Sequence, residues 1–158
     1  MTGPRAVRAW RLAADSPTTA CVGAARTAVA AAATSWGVGG EGLDDLLCVV
    51  SELVANAVRH APGPLSARVR FAPDGTRVLI EVSDTGSSLP RLVAGASELF
   101  AESGRGMLMV AALAERWGAR PDDGGKTVWC ELLLPAAPAV PGPGRTVRAA
   151  RAAGVGRP

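Results

Sequence analysis

The sequence predicts an α/β two-layer sandwich, with a mixed, largely antiparallel sheet of about four strands and three main helices on one face. Three observations lead there. Apolar side chains recur at three- and four-residue steps from Leu43 to Val58, the pattern of an amphipathic helix. Two runs of alternating polarity, Leu65 to Ala72 and Arg77 to Ser83, flank Pro73-Asp74-Gly75-Thr76, a hairpin signature. The length of 158 residues and a hydrophobic share of 48% suit one domain able to bury its own core.

The elements follow in order. Residues 6–13 alternate apolar and basic, as a half-buried strand does. Asp15 or Ser16 before Pro17 starts a helix over the alanine-rich stretch 18–35, which ends near Trp36-Gly37. After the glycine-rich break 37–42 comes the helix carrying Leu43, Leu46, Leu47, Val50, Leu53, Val54, Ala57 and Val58, stopped by Ala61-Pro62-Gly63-Pro64. The hairpin follows. Residues 85–105 read as an irregular loop with one short helical turn around 91–95, and so long a loop points to function. Gly106 to Trp117 reads as an apolar helix, Asp122 to Gly125 as a turn, and Lys126 to Leu134 as a last strand. The domain is expected over 1–134. From Pro135 to Pro158 the Pro, Gly, Ala and Arg composition cannot build a core and reads as a flexible tail.

Charge excludes several classes of function. Seventeen basic and 14 acidic side chains give a formal net charge of +3. The excess sits at the ends: Arg5, Arg8 and Arg11 in the first eleven residues, and Arg145, Arg148, Arg151 and Arg157 in the tail, with no acid in either. Residues 12–134 therefore carry 10 basic and 14 acidic groups, which argues against direct nucleic-acid binding. No apolar run reaches the roughly 18 residues of a membrane span, and Arg8 and Arg11 interrupt any signal-peptide core. Cys21, Cys48 and Cys130 are widely spaced and accompany a single His, so neither zinc nor a disulfide framework is expected. Reduced thiols and a cytoplasmic location are.

Three polar constellations could carry chemistry. Glu52 and Asn56 lie one helical turn apart and share a face. They are either solvent-facing residues or a general base and a hard oxygen for Mg²⁺, which takes few protein ligands when phosphates supply the rest. Asp84-Thr85-Gly86 ends the alternating strand; it is either an ordinary turn or a carboxylate placed to accept from an exocyclic amine, with Gly86 admitting a flat base. Ser103-Gly104-Arg105-Gly106 precedes a helix, as a flexible entry or as a phosphate cradle at its N-terminus. Gly125-Lys126-Thr127 imitates the end of a P-loop, but position 120 is Arg and a strand follows, so no P-loop is present.

In this order and spacing the segments resemble the GHKL ATPase/kinase superfamily. Glu52-Leu-Val-Ala-Asn56-Ala-Val-Arg-His60 is similar to its N-box, Asp84-Thr-Gly86 to its first glycine box, and Ser103-Gly-Arg-Gly106-Met-Leu-Met-Val to the second. Gly125-Lys-Thr127-Val-Trp129 resembles its Thr-bearing final strand. The resemblance covers about residues 5–134 and implies the Bergerat ATP-binding fold, with an ATP lid at about 87–105. A free-standing domain of this length resembles the RsbW/SpoIIAB-type anti-sigma-factor serine/threonine kinases.

That resemblance implies ATP and Mg²⁺ as cofactors, a sigma factor or a small antagonist protein as partner, and a homodimer. It makes Glu52 the general base and Asn56 the Mg²⁺ ligand. Asp84 becomes the acceptor for the adenine amine, with Thr127 sharing a water. Gly86 lines the adenine pocket, while Gly104, Arg105, Gly106 and Met107 belong to the phosphate-binding segment. Two departures stand out: the later glycine region is short, and Ser88 replaces the second glycine of the Asp-x-Gly-x-Gly pattern. They leave an ATP-binding regulatory module without phosphotransfer as the alternative to a kinase.

Overall fold

The computed structural model describes residues 8–90 and 102–135. Its sheet has five strands in the order β1-β2-β3-β5-β4, and every neighbouring pair is antiparallel. The strands are β1 (Ala9–Ala14), β2 (Leu65–Phe71), β3 (Arg77–Asp84), β4 (Arg116–Asp122) and β5 (Gly125–Leu133), and the helices α1 (Ala20–Ser35), α2 (Gly40–His60) and α3 (Glu102–Leu113). The expected two-layer sandwich is present, with one strand more than the sequence suggested. The short turn expected at 91–95, the middle of the lid and the tail from 136 lie outside the described residues.

The additional strand is β4. Helix α3 begins at Glu102 and ends at Leu113, four residues earlier at each end than the predicted 106–117, and Trp117 belongs to β4. Asp123 and Gly124 form the two-residue link between β4 and β5, with Gly124 at φ +96°, and an Asp-Gly pair is a preferred hairpin turn. Pro121 and Gly118 hid the strand, but an edge position tolerates both.

Local chemistry explains the helix ends. At the C-terminus of α1, Gly37 takes φ +86°. Its amide donates to the Thr34 carbonyl and that of Val38 to the Ala33 carbonyl, both at 3.0 Å, which is the Schellman arrangement. Helix α2 begins at Gly40, inside the segment read as a break, because Gly42 packs against Leu134 and Pro135 at the end of β5. A side chain at position 42 would stand 2.9 Å from the Pro135 ring.

The core lies between the helices and one face of the sheet. Leu46, Val49, Val50, Leu53, Val54 and Ala57 of α2 are buried with Val69, Val78, Ile80, Val82, Val128, Cys130 and Leu132. Leu53→Ala is expected to cost about 2–5 kcal/mol in chemical denaturation, because a buried Leu leaves both lost transfer energy and a cavity. Burial also pushes the Cys130 thiol up to about 12, helped by the neighbouring Glu131 charge, so it stays protonated. All three cysteines are free.

The opposite face of the sheet is polar. Glu81 sits between Arg70 and Arg120, at 2.9 and 3.0 Å, and Glu131 between Arg77 and Arg116, at 2.6 and 2.7 Å. The hydrogen bonds from Arg77 and then Arg116 hold the Glu131 carboxyl below the usual carboxylate range. These arginines give the outer face a basic character that the mildly acidic balance of residues 12–134 conceals.

Candidate functional site

The site is built at the end of the sheet where β3 finishes and β5 begins. Helix α2 contributes Glu52 and Asn56, both half-buried. The Arg59 guanidinium lies 4.0 Å from Glu52 Oε2, a half-exposed pair that contributes little to stability. Glu52 also meets α3, because a Cβ placed on Gly106 would overlap Oε2 and stand 3.1 Å from the carboxyl carbon. Glycine at 106 is therefore what lets the carboxylate lie against the first turns of α3.

Those first turns carry the predicted phosphate-binding segment. Ser103, Gly104, Arg105 and Gly106 lie within α3 rather than ahead of it. The amides of the first turn of α3 lack intrahelical acceptors, and the helix dipole favours an anion there. Arg105 is exposed, and Met107 is buried against the core. The Asn56 side chain makes no hydrogen bond among the described residues, which leaves its amide oxygen available to a hard cation. No group of three or more His, Cys, Asp or Glu side chains that could hold a metal occurs among the described residues. Mg²⁺ bound there would complete its shell from phosphate and water, as it commonly does, and the donor set fits that arrangement.

At the floor, Asp84 is buried. Its Oδ1 accepts from the Gly86 amide at 2.8 Å and from Lys126 Nζ at 2.7 Å. Gly86 is required on steric grounds: a Cβ there would stand 2.6 Å from Lys126 Nζ and 3.2 Å from the His60 carbonyl oxygen at the end of α2. The segment after α2 is fastened to the same turn, since the Gly63 amide donates to Thr85 Oγ1 at 3.2 Å. Gly125, opposite, leaves no room for a side chain above the Asp84 carbonyl.

The structure brings Glu52 against Gly106, with Asn56 one turn along α2, and Asp84 against Gly86, with Arg105 and Met107 flanking Gly106 in α3. Thr127 is not among them, which corrects the expectation that it shares a water with Asp84. The register pairs Asp84 with Lys126 and Ser83 with Thr127, and successive strand residues point to opposite faces. The Thr127 hydroxyl is bonded on the outer face, 2.7 Å from Ser83 Oγ and 2.6 Å from Asp122 Oδ2. Lys126 is the residue that sequence reasoning missed.

The profile of the histidine kinase-like ATPase domain matches residues 16–132. The chain belongs to the histidine kinase-like ATPase domain family. Among solved structures it is similar to the RsbU and RsbW domains of Rv1364c from Mycobacterium tuberculosis, with a TM-score of 0.58 at 21% identity. That match covers 79% of this chain and 32% of the other, so the present chain spans about a third of the length of that relative. The likeness concerns the fold. No curated protein matches the sequence. As a histidine kinase-like ATPase domain, the chain has a fold built to bind ATP, and no helix among its described residues is long and apolar enough to cross a membrane. Its β5 strand also rules out a P-loop at Gly125-Lys126-Thr127, since no helix follows Lys126.

Proposed function

We propose that this domain is an ATP-Mg-dependent protein serine/threonine kinase acting as an anti-sigma-factor-type regulator in a partner switch. One observation carries the reading: Glu52 lies against the first turns of α3 at Gly106 while the side-chain amide of Asn56, one turn further along α2, has no partner among the described residues. A base, a metal ligand and a phosphate-attracting helix start thus stand side by side. The Glu52 carboxylate takes the proton of a substrate Ser or Thr hydroxyl as its oxygen bonds to the γ-phosphorus and the bond to the departing ADP oxygen breaks. Asn56 would hold Mg²⁺, which when bound neutralises phosphate charge. The amides at the start of α3 and Arg105 would hold the phosphates, and Asp84 with Gly86 the base. Phosphoryl transfer asks mostly for such positioning and charge neutralisation. A sigma factor or a small antagonist protein is the proposed partner, in the cytoplasm, with a homodimer as the proposed assembly. The likeness to a protein containing RsbU and RsbW domains supports this class.

Calorimetric titration with ATP-Mg and transfer of labelled phosphate to small candidate antagonist proteins test the reading. Saturable binding weakened by Asp84→Ala, with label on a Ser or Thr, is the expected result; absence of ATP binding by the folded protein would overturn it. Gly106→Ala is expected to displace the Glu52 carboxylate from the start of α3 and lower kcat by about 10²-fold, the scale of a misplacement near 1 Å. The helical circular dichroism should be retained.

Ser88 favours a second reading. It stands exposed at the position where the family pattern carries its second glycine. In that reading nucleotide binding controls protein association without transfer, and Glu52→Ala leaves the output unchanged.

A further inference from the structure

We infer that Lys126 is a second reader of the nucleotide base, acting with Asp84 so that the two side chains grip adjacent atoms of the adenine edge. The inference rests on the nucleotide reading above and adds a residue and an atom to it.

The Asp84 and Lys126 side chains are each 1% exposed and lie 2.7 Å apart. They form one rung on the inner face of the sheet, and the next three rungs on that face are Val82–Val128, Ile80–Cys130 and Val78–Leu132. An apolar pair would continue that series without the desolvation penalty of two buried charges, which runs to several kcal/mol per ion. Packing alone does not call for the ion pair.

Its unused valences point to a ligand. Both hydrogen bonds that Asp84 accepts among the described residues land on Oδ1, leaving Oδ2 as a free acceptor. Lys126 carries three N–H donors and, among the described residues, spends one of them, on Asp84. The rung therefore offers a carboxylate oxygen beside a charged N–H. Adenine presents the complement on its six-membered ring, an N6 amine that donates and an N1 that accepts.

Two outcomes are conceivable when a base arrives: it displaces the ammonium from Asp84, or it adds to the pair. Displacement would strand a charge where both side chains are 1% exposed, which is more costly than one hydrogen bond can repay. Addition keeps the ion pair and satisfies the two open positions. The geometry thus assigns N6 to Asp84 Oδ2 and N1 to Lys126 Nζ.

The test uses the full chain, ATP, and 1-deaza-ATP, in which C–H replaces N1. Loss of a hydrogen bond from a charged donor predicts that 1-deaza-ATP binds about 10–100-fold more weakly than ATP. In Lys126→Met the two nucleotides should bind alike, and ATP itself should bind more weakly than to the parent. Equal binding of both nucleotides by the parent protein overturns the role of Lys126 while leaving the nucleotide reading intact. So does a folded Lys126→Met protein that keeps the discrimination or binds ATP more tightly, as removal of a competitor would. Should Lys126→Met not fold, the comparison on the parent protein still decides. If ATP itself fails to bind, the nucleotide reading falls first.

Discussion

Replacing Glu52 with Gln is expected to slow phosphoryl transfer by about 10²–10⁴-fold, the usual contribution of a positioned general base, while ATP-Mg affinity stays close to that of the parent. The amide copies the shape of the carboxylate, so the contact with Gly106 survives, but it cannot take a proton. Glu52 lies one helical turn from Asn56 and well along α2 from His60, where the floor around Gly86 begins, so the base pocket should not register the change. Single-turnover transfer measured beside calorimetric affinity separates the two effects. A parallel fall in both would make Glu52 a binding residue, and an unchanged transfer rate would remove it from the chemistry.

The second large effect concerns stability. Lys126→Met or Asp84→Ala alone is expected to cost about 3–5 kcal/mol, because each leaves an uncompensated charge in a site that is 1% exposed. A domain of this size is stable by about 5–15 kcal/mol in all, so either change could bring the midpoint of unfolding close to working temperature. Asp84→Asn combined with Lys126→Met removes both charges and should recover much of the loss. Urea unfolding of the three variants makes the comparison. If the double variant is as unstable as the sum of the singles, the pair is not the coupled unit described here.

Much of this was legible in the residues. The 3.6-residue period around Leu46, Leu53 and Ala57 defined α2, and with it the relation of Glu52 to Asn56. Pro73 to Thr76 defined the β2–β3 hairpin and put Asp84 at a strand end. Residues 114–121 were harder, since apolar Ala114 and Trp117 continue a helical pattern while Gly118 and Pro121 speak against a strand; only pairing with β5 decides. The Asp123-Gly124 pair was the available clue. Thr127 was misplaced for a different reason. Alternation along Val128, Cys130 and Leu132 already implies that Lys126 faces inward and Thr127 outward, but the motif drew attention to the threonine. What no pattern could supply is the approach of Gly106 to Glu52, which depends on how two helices distant in sequence cross.

The Asp123-Gly124 turn has a consequence beyond joining two strands. It delivers the chain into β5 next to the rung whose β3–β5 register turns the even-numbered residues inward. With two residues in the link, an ammonium meets Asp84 and a hydroxyl looks away. A one-residue change in that loop that propagated into the β3–β5 pairing would exchange them, and Asp84 would face a hydroxyl in place of its counter-ion, an uncompensated buried carboxylate. Loop length at this neighbouring hairpin can therefore set the charge that stands beside Asp84.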